Sequence, residues 1–330
     1  MFNIISFEDF NTNLNEWIYF VELSIGILSM IGSSFIIIAF IFYQTLRNKA
    51  FELVFYMTIA SFFNNLSYLI NYIDADNRIV QDMTLCRAQA FLMIWSEVSQ
   101  MTWAFLISYS VYDSVVNFDY WSAEDHYSTC IQRIKYLSIG FLWPLVVSTI
   151  GLACDYLGPS GKWCWINSIT NNPFAIAYGW FIYAILWSSI ISGCVITFLV
   201  IRFLCRTYSG QKYVIVSRFV TKLITYPLIQ IICWLPATLN RLVFELSGSY
   251  NLYLQLFALV FVLSQGLAYA FVYGFNPQVR SAVYATFCKK RKEKVSSIID
   301  YRTSNGSFIS IESQDRRDER FHERLVDFSL

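Results

Sequence analysis

Long apolar runs recur along this chain at even intervals, and they constrain its fold more than any other feature. Crossing about 30 Å of hydrocarbon at 1.5 Å per residue takes about 20 residues. Seven runs reach that length, at roughly 18–43, 52–72, 86–112, 135–155, 174–203, 217–242 and 252–274. The second and third carry polar residues at their centres and are retained because helices inside a bundle can turn such groups toward one another. Composition agrees: the chain is 56% hydrophobic and 14% charged, whereas soluble domains are about 45–50% apolar and about 25% charged. The expected fold is all-α, a seven-transmembrane helix bundle over 18–274, with lipid as its main solvent.

Lysine and arginine near the span ends set the orientation. With the amino terminus outside, the inner side collects Arg47, Lys49, Arg133, Lys135, Arg202, Arg206, Lys212, Arg218 and Lys222, then Arg280 and the basic run 289–294. The outer side keeps only Arg78, Arg87, Lys162 and Arg241. The net charge of +1 hides this asymmetry. The expected protein is multi-pass in the cell membrane, with residues 1–17 extracellular and a cytoplasmic carboxyl terminus. Residues 1–17 lack a basic segment and a cleavage site, so the first span is expected to act as its own signal anchor.

After the last span, Val279, Val283 and Phe287 recur every four residues beside Arg280, Lys289 and Lys290. Residues 275–292 therefore read as a short amphipathic helix on the inner leaflet, with Cys288 a candidate for palmitoylation. Residues 293–330 mix serine with dense charge and read as a disordered cytoplasmic tail. Its serines are candidate phosphorylation sites, which makes kinases and arrestin-like regulators candidate partners.

Enzyme chemistry finds little support. Two histidines, His126 and His322, fall outside the spans, and no HExxH, GxGxxG or phosphate-binding loop is present. No cofactor, metal, catalytic residue or nucleic-acid partner is expected. The carboxylate that stands out is Glu97 in "IWSEVSQMTW", on one helix face with Gln100. It reads either as a ligand contact or switch element, or as a neutral, hydrogen-bonded packing residue. A transporter of a small solute is the alternative function, weakened by an odd span count without similarity between halves.

Cys154, Cys194 and Cys233 lie in or beside apolar runs and read as small core residues. Cys86 and Cys164 both fall on the outer side, where disulfides persist, so they are either bonded or two free thiols. Trp163 and Trp165 flank Cys164 and read as a pocket lid or as interfacial anchors. The stretch "QIICWLPATLN" poses a separate question. A proline inside a helix costs about 3 kcal/mol in water, yet Pro236 sits mid-run, two residues after Trp234.

Taken together, seven spans, Cys86 and Cys164, Trp143-Pro144, "CWLP" at 233–236 and the helix after span seven resemble a G-protein-coupled receptor. Within that superfamily the chain is similar to the cyclic AMP receptor and cyclic-AMP-receptor-like family of social amoebae and other lower eukaryotes. The similarity covers about 18–291 and is strongest in "GKWCWI" and "QGLAYAFVYGFNP". It departs from rhodopsin-like receptors, having no acidic-arginine-aromatic triplet after span three and no Asn-Pro-x-x-Tyr in span seven. Instead Gln265, Gly266 and Tyr273 match a Gln-Gly-x-x-Asn-x-x-x-Tyr signature in which Tyr269 replaces the asparagine.

The resemblance implies a receptor that passes an extracellular small-molecule signal to a heterotrimeric G protein, with a Cys86–Cys164 bond across the bundle mouth. Trp234, Pro236, Gln265 and Tyr273 would form the switch, with Pro236 bending span six into a lever. Arg133, Lys135, Arg206, Arg218 and Lys222 would line a G-protein groove. Arg87, Glu97, Lys162, Trp165 and Arg241 are the candidate ligand residues. Cyclic AMP is the ligand the family suggests, but Asp74, Asp76, Asp82, Asp155 and Glu245 crowd the same rim and would repel an anion.

Overall fold

The computed structural model describes residues 7–47, 49–70, 83–116, 126–160, 163–167, 172–207, 211–247, 251–274, 279–281 and 284. Its helices are α1 (Phe7–Phe42), α2 (Lys49–Leu69), α3 (Met83–Val116), α4 (His126–Leu137), α5 (Trp143–Ala153), α6 (Pro173–Thr207), α7 (Gln211–Ser247), α8 (Leu252–Leu263) and α9 (Gln265–Gly274). A π-helical turn, Ser138–Leu142, joins α4 to α5. Pro144 falls in the first turn of α5, where its missing N–H costs least.

Six segments among the described residues are long and apolar enough to cross a membrane: Phe20–Phe42, Met83–Asp113, Cys130–Ala153, Pro173–Phe203, Leu228–Ser247 and Tyr253–Tyr273. That is one fewer than the sequence suggests. The helix that falls short is α2, which has the length, at 21 residues, but not the apolarity. Its position accounts for this. It packs between α1 and α3, and Thr58, Ser61, Asn64, Asn65 and Ser67 on it are all buried. A helix screened from lipid by its neighbours can satisfy polar groups inside the bundle.

The same reasoning explains the modest hydropathy of α3. Its spanning window is 78% buried, against 22% for that of α6, because α2, α5, α6, α7 and a β-hairpin surround it. The outward faces carry large apolar side chains, among them Phe35 and Ile38 on α1 and Phe198 and Leu199 on α6. Such a surface suits a hydrocarbon solvent.

Two departures from the expected pattern concern continuity. The last span is broken at Ser264, between α8 and α9, and α1 already begins at Phe7 rather than near residue 18. By contrast α7 runs unbroken through Pro236, which offers no N–H to the carbonyl one turn earlier. Of the amphipathic segment 275–292, residues 279–281 and 284 are helical, with Val279 buried and Arg280 and Tyr284 exposed. Cys288 and the tail lie outside the described residues.

The bundle is not purely helical. β1 (Leu157–Ser160) and β2 (Trp163–Ile166) pair antiparallel, with Pro159 opposite Cys164. Cys164 is disulfide-bonded to Cys86 in the first turn of α3. Gln89, one turn further along α3, accepts from the Cys164 N–H (3.2 Å) and donates to the Ser67 carbonyl of α2 (3.1 Å). One covalent bond and one amide thus fix the hairpin over that end of the bundle.

Close helix packing depends on two glycines. Trp103, fully buried on α3, lies flat on Gly140 of the π-turn, and a methyl built there would fall within its indole. Gly266 on α9 sits among three hydroxyls, with a built Cβ 2.5, 2.7 and 2.9 Å from the Oγ atoms of Ser29, Ser33 and Ser61. One of these hydroxyls is used: Ser29 Oγ accepts from the Leu267 N–H at 3.0 Å, which would otherwise be an orphan of the new helix start.

Gly140→Ala is expected to destabilise the protein by about 1–3 kcal/mol, the usual scale of overpacking, read as a lower unfolding temperature in lipid nanodiscs. Cys86→Ser and Cys164→Ser should each destabilise by up to about 2–5 kcal/mol. The double variant should be no worse than either single, since both remove the same bond. Additive losses would mean that the two thiols act separately.

Candidate functional site

Beneath the hairpin lies a cavity of about 70 Å³. Helical spacing brings its walls together. From α7 come Trp234, Ala237, Arg241 and Phe244; from α3, Met93 and Glu97; from α8, Gln255, Leu259 and Val262. Asn240 of α7, Ala258 of α8, Tyr68 of α2, Tyr183 of α6 and Ser160, Trp163 and Trp165 of the hairpin complete the lining. Both tryptophans of the hairpin therefore cover the cavity. Trp163 meets the Tyr68 ring edge-on at 6.2 Å, and Trp165 meets Tyr183 at 5.8 Å.

Three of the five candidate ligand residues meet here. Glu97 is buried, at 5% exposure, and its Oε2 accepts from the Trp165 indole N–H at 3.3 Å. Arg241 is paired with Glu245 one turn on, at 2.7 Å, and its guanidinium lies 5.9 Å from the Trp165 ring centre and 5.4 Å from that of Phe244. Arg87 is absent from the lining and pairs instead with Asp155. Lys162 lies outside the described residues. Tyr183, Asn240 and Gln255 were not singled out in the sequence. The signal that could find Asn240 and Gln255 is a polar residue within an apolar run, and Tyr183 carries none.

Trp234 forms the floor of the cavity and connects it inward. Its indole N–H donates to Gln265 Oε1 at 3.3 Å, and Gln265 Nε2 donates to the Tyr269 hydroxyl. All three side chains are buried. The phenol at 269 thus supplies a hydrogen-bonding oxygen within the Gln-Gly motif where the signature has an asparagine. Tyr273, one turn on, is buried edge-to-face against Phe51 at 5.2 Å. From the neighbouring turn of α7, Gln230 donates to the Gln100 carbonyl of α3 at 3.2 Å.

At the opposite end of the bundle, Arg133 of α4 grips Glu52 of α2 with two contacts, Nε to Oε1 at 2.6 Å and Nη2 to Oε2 at 3.0 Å. Tyr56 donates to the same carboxylate at 2.8 Å. Glu52 was passed over in the sequence, although it is the acidic residue of the α2 first turn. Lys135 and Arg206 are exposed at the last turns of α4 and α6. Arg218 and Lys222 belong to α7, with side chains outside the described residues. Among the described residues, no group of three or more His, Cys, Asp or Glu is placed to hold a metal ion.

Comparison with known proteins gives this architecture a family. A family model described as slime mold cyclic AMP receptor matches residues 11–290. "G-protein coupled receptor 1" of Arabidopsis thaliana is 25% identical over 273 residues, 78% of this chain and 77% of that protein. "Cyclic AMP receptor-like protein A" of Dictyostelium discoideum is 23% identical over 317 residues, 89% of this chain and 76% of the relative. "Cyclic AMP receptor 2" of the same organism is 24% identical over 221 residues, 65% of this chain and 55% of the relative's length. The match spans the cavity, the disulfide and the Trp234–Gln265–Tyr269 connection, and on it the chain belongs to the slime mold cyclic AMP receptor family.

Proposed function

We propose that this chain is a seven-span G-protein-coupled receptor in the cell membrane, with α2 as the seventh span, the hairpin end outside and the carboxyl terminus in the cytoplasm. A small extracellular ligand enters the cavity under Trp163 and Trp165 and displaces Trp234. The displacement acts on two helices at once, α7 through the helix carrying Trp234 and α9 through Gln265 and Tyr269. The inner part of α7, with Arg218 and Lys222, then moves relative to Lys135 and Arg206, and a heterotrimeric G protein binds the groove that opens. Kinases and arrestin-like proteins act on the tail, and Cys288 is a palmitoylation site that would pin the segment after α9.

The observation that carries this reading is the hydrogen-bonded line from a cavity wall to α9. A ligand shifts a two-state protein only by its differential affinity for the states, and Trp234 is the wall residue that such a shift would move. Pro236 and Ser264 lie within two residues of the two ends of the Trp234–Gln265 bond. Ser264 interrupts the last span, and Pro236 leaves one carbonyl of the continuous α7 without its helical N–H partner, so each loosens its helix locally.

The test is G-protein subunit dissociation in cells displaying the chain, challenged with cyclic AMP and with crude secreted material. Trp234→Ala and Gln265→Leu should each cut the response about tenfold or more at equal surface delivery, the scale of coupling free energies of about 1–3 kcal/mol. Tyr269→Phe keeps the ring and removes the hydroxyl, and it should fall between wild type and Gln265→Leu. Silence of the properly delivered wild-type chain, together with stimulus-dependent solute flux, would replace this reading with a transporter.

A further inference from the structure

We infer that the cavity takes a small organic cation, a protonated primary amine bearing a short apolar group, rather than an anion. The inference rests on the cavity being the receptor's ligand site.

The argument is one of charge. Arg241 is the one cation among the described residues lining the cavity, and its charge is already answered. Glu245 holds it at 2.7 Å, and the rings of Trp165 and Phe244 lie beside it. An incoming anion would have to break a pair that is largely buried, with side-chain exposures of 11% and 25%. Removing one partner from such a pair leaves the other charge buried and uncompensated, which is strongly unfavourable.

Glu97 presents the opposite situation. Its carboxyl is 5% exposed, lines the cavity, and takes part in no ion pair among the described residues. Among the described residues its hydrogen bond is from the neutral Trp165 indole. A buried carboxylate away from water is costly unless paired. An ammonium ion placed beside it supplies that partner and up to three donors.

The walls favour the same sign of ligand. Trp163, Trp165, Trp234 and Tyr183 line the space, and aromatic faces attract cations and repel anions. Ser160, Asn240 and Gln255 add oxygen acceptors to the wall, so an ammonium has places for its remaining protons. A phosphate in the same space would meet ring faces and an unpaired carboxyl.

The experiment uses the full chain in lipid nanodiscs and follows the unfolding temperature. The probes are a graded series of primary ammonium ions from methylammonium to 2-phenylethylammonium, each against the alcohol of the same skeleton, and cyclic AMP. At least one ammonium ion should raise the unfolding temperature saturably while its alcohol does not. Glu97→Gln should weaken that binding about tenfold or more, and Arg241→Gln should tighten it. Should Glu97→Gln fail to fold, the wild-type comparison of ammonium with alcohol decides alone. If no ammonium ion outperforms its alcohol, or if cyclic AMP stabilises the chain and loses that effect in Lys162→Met or Arg241→Gln, the inference is overturned. Nucleotide exchange on purified G protein, read in the same nanodiscs, separates the two readings. Exchange driven by secreted material without any ammonium binding sinks the cation and spares the receptor, whereas ammonium binding without exchange does the reverse.

Discussion

In hydrocarbon a polar side chain finds no water, so those that enter the membrane turn toward the interior of the bundle. The fold is organised around that constraint. Helix α3 concentrates such groups, with Ser96, Glu97, Ser99 and Gln100 in consecutive turns and all at 5% exposure or less. A helix carrying them can be stable only at the centre, and α2, α5, α6, α7 and the hairpin surround it accordingly. The cavity follows from the same arrangement. Its acidic wall is a residue of the central helix, and its other walls are the helices needed to cover that residue.

The central helix also makes sense of the discontinuities around it. Pro236 weakens α7 two residues from Trp234, and Ser264 interrupts the last span beside Gln265. Alone, each would be a cost without a return. The Trp234–Gln265 bond joins the two helices beside these two positions. The phenol of Tyr269 extends that connection along α9. Gly266 lets α9 approach α1 closely enough for Ser29 to satisfy the Leu267 amide. The Gln-Gly pair thus has two unlike tasks on adjacent residues: the amide links, and the absent side chain makes room.

Which parts of this could be read beforehand depended on the range of the interaction. Apolar runs, the bias of lysine and arginine, and the paired Trp234 and Pro236 are local patterns, legible without any contact map. A shared compartment left Cys86 and Cys164 either bonded or free, and it was the family resemblance that implied the bond the structure contains. Features that exist only in tertiary contact were not legible. The Arg133–Glu52 pair joins residues 81 positions apart, a contact that no local pattern reveals. Arg87 looked like a ligand residue because it lies at the rim, yet its partner Asp155 is positioned by a turn after α5 in which it takes a positive φ. The hairpin was missed because four-residue strands of "LGPS" and "WCWI" have no alternation to betray them.

The two ends of the bundle are held by forces of different strength. At the hairpin end the tie is a covalent bond reinforced by the buried Gln89. At the opposite end it is the Arg133–Glu52 pair, whose arginine side chain is 53% exposed. Its Glu52 side chain is 18% exposed and also accepts from Tyr56, yet the arginine's contact with water leaves the pair open to screening by salt, as the covalent bond is not. The two ties therefore differ in kind: a covalent one joins the hairpin to α3, and an ionic one joins α4 to α2.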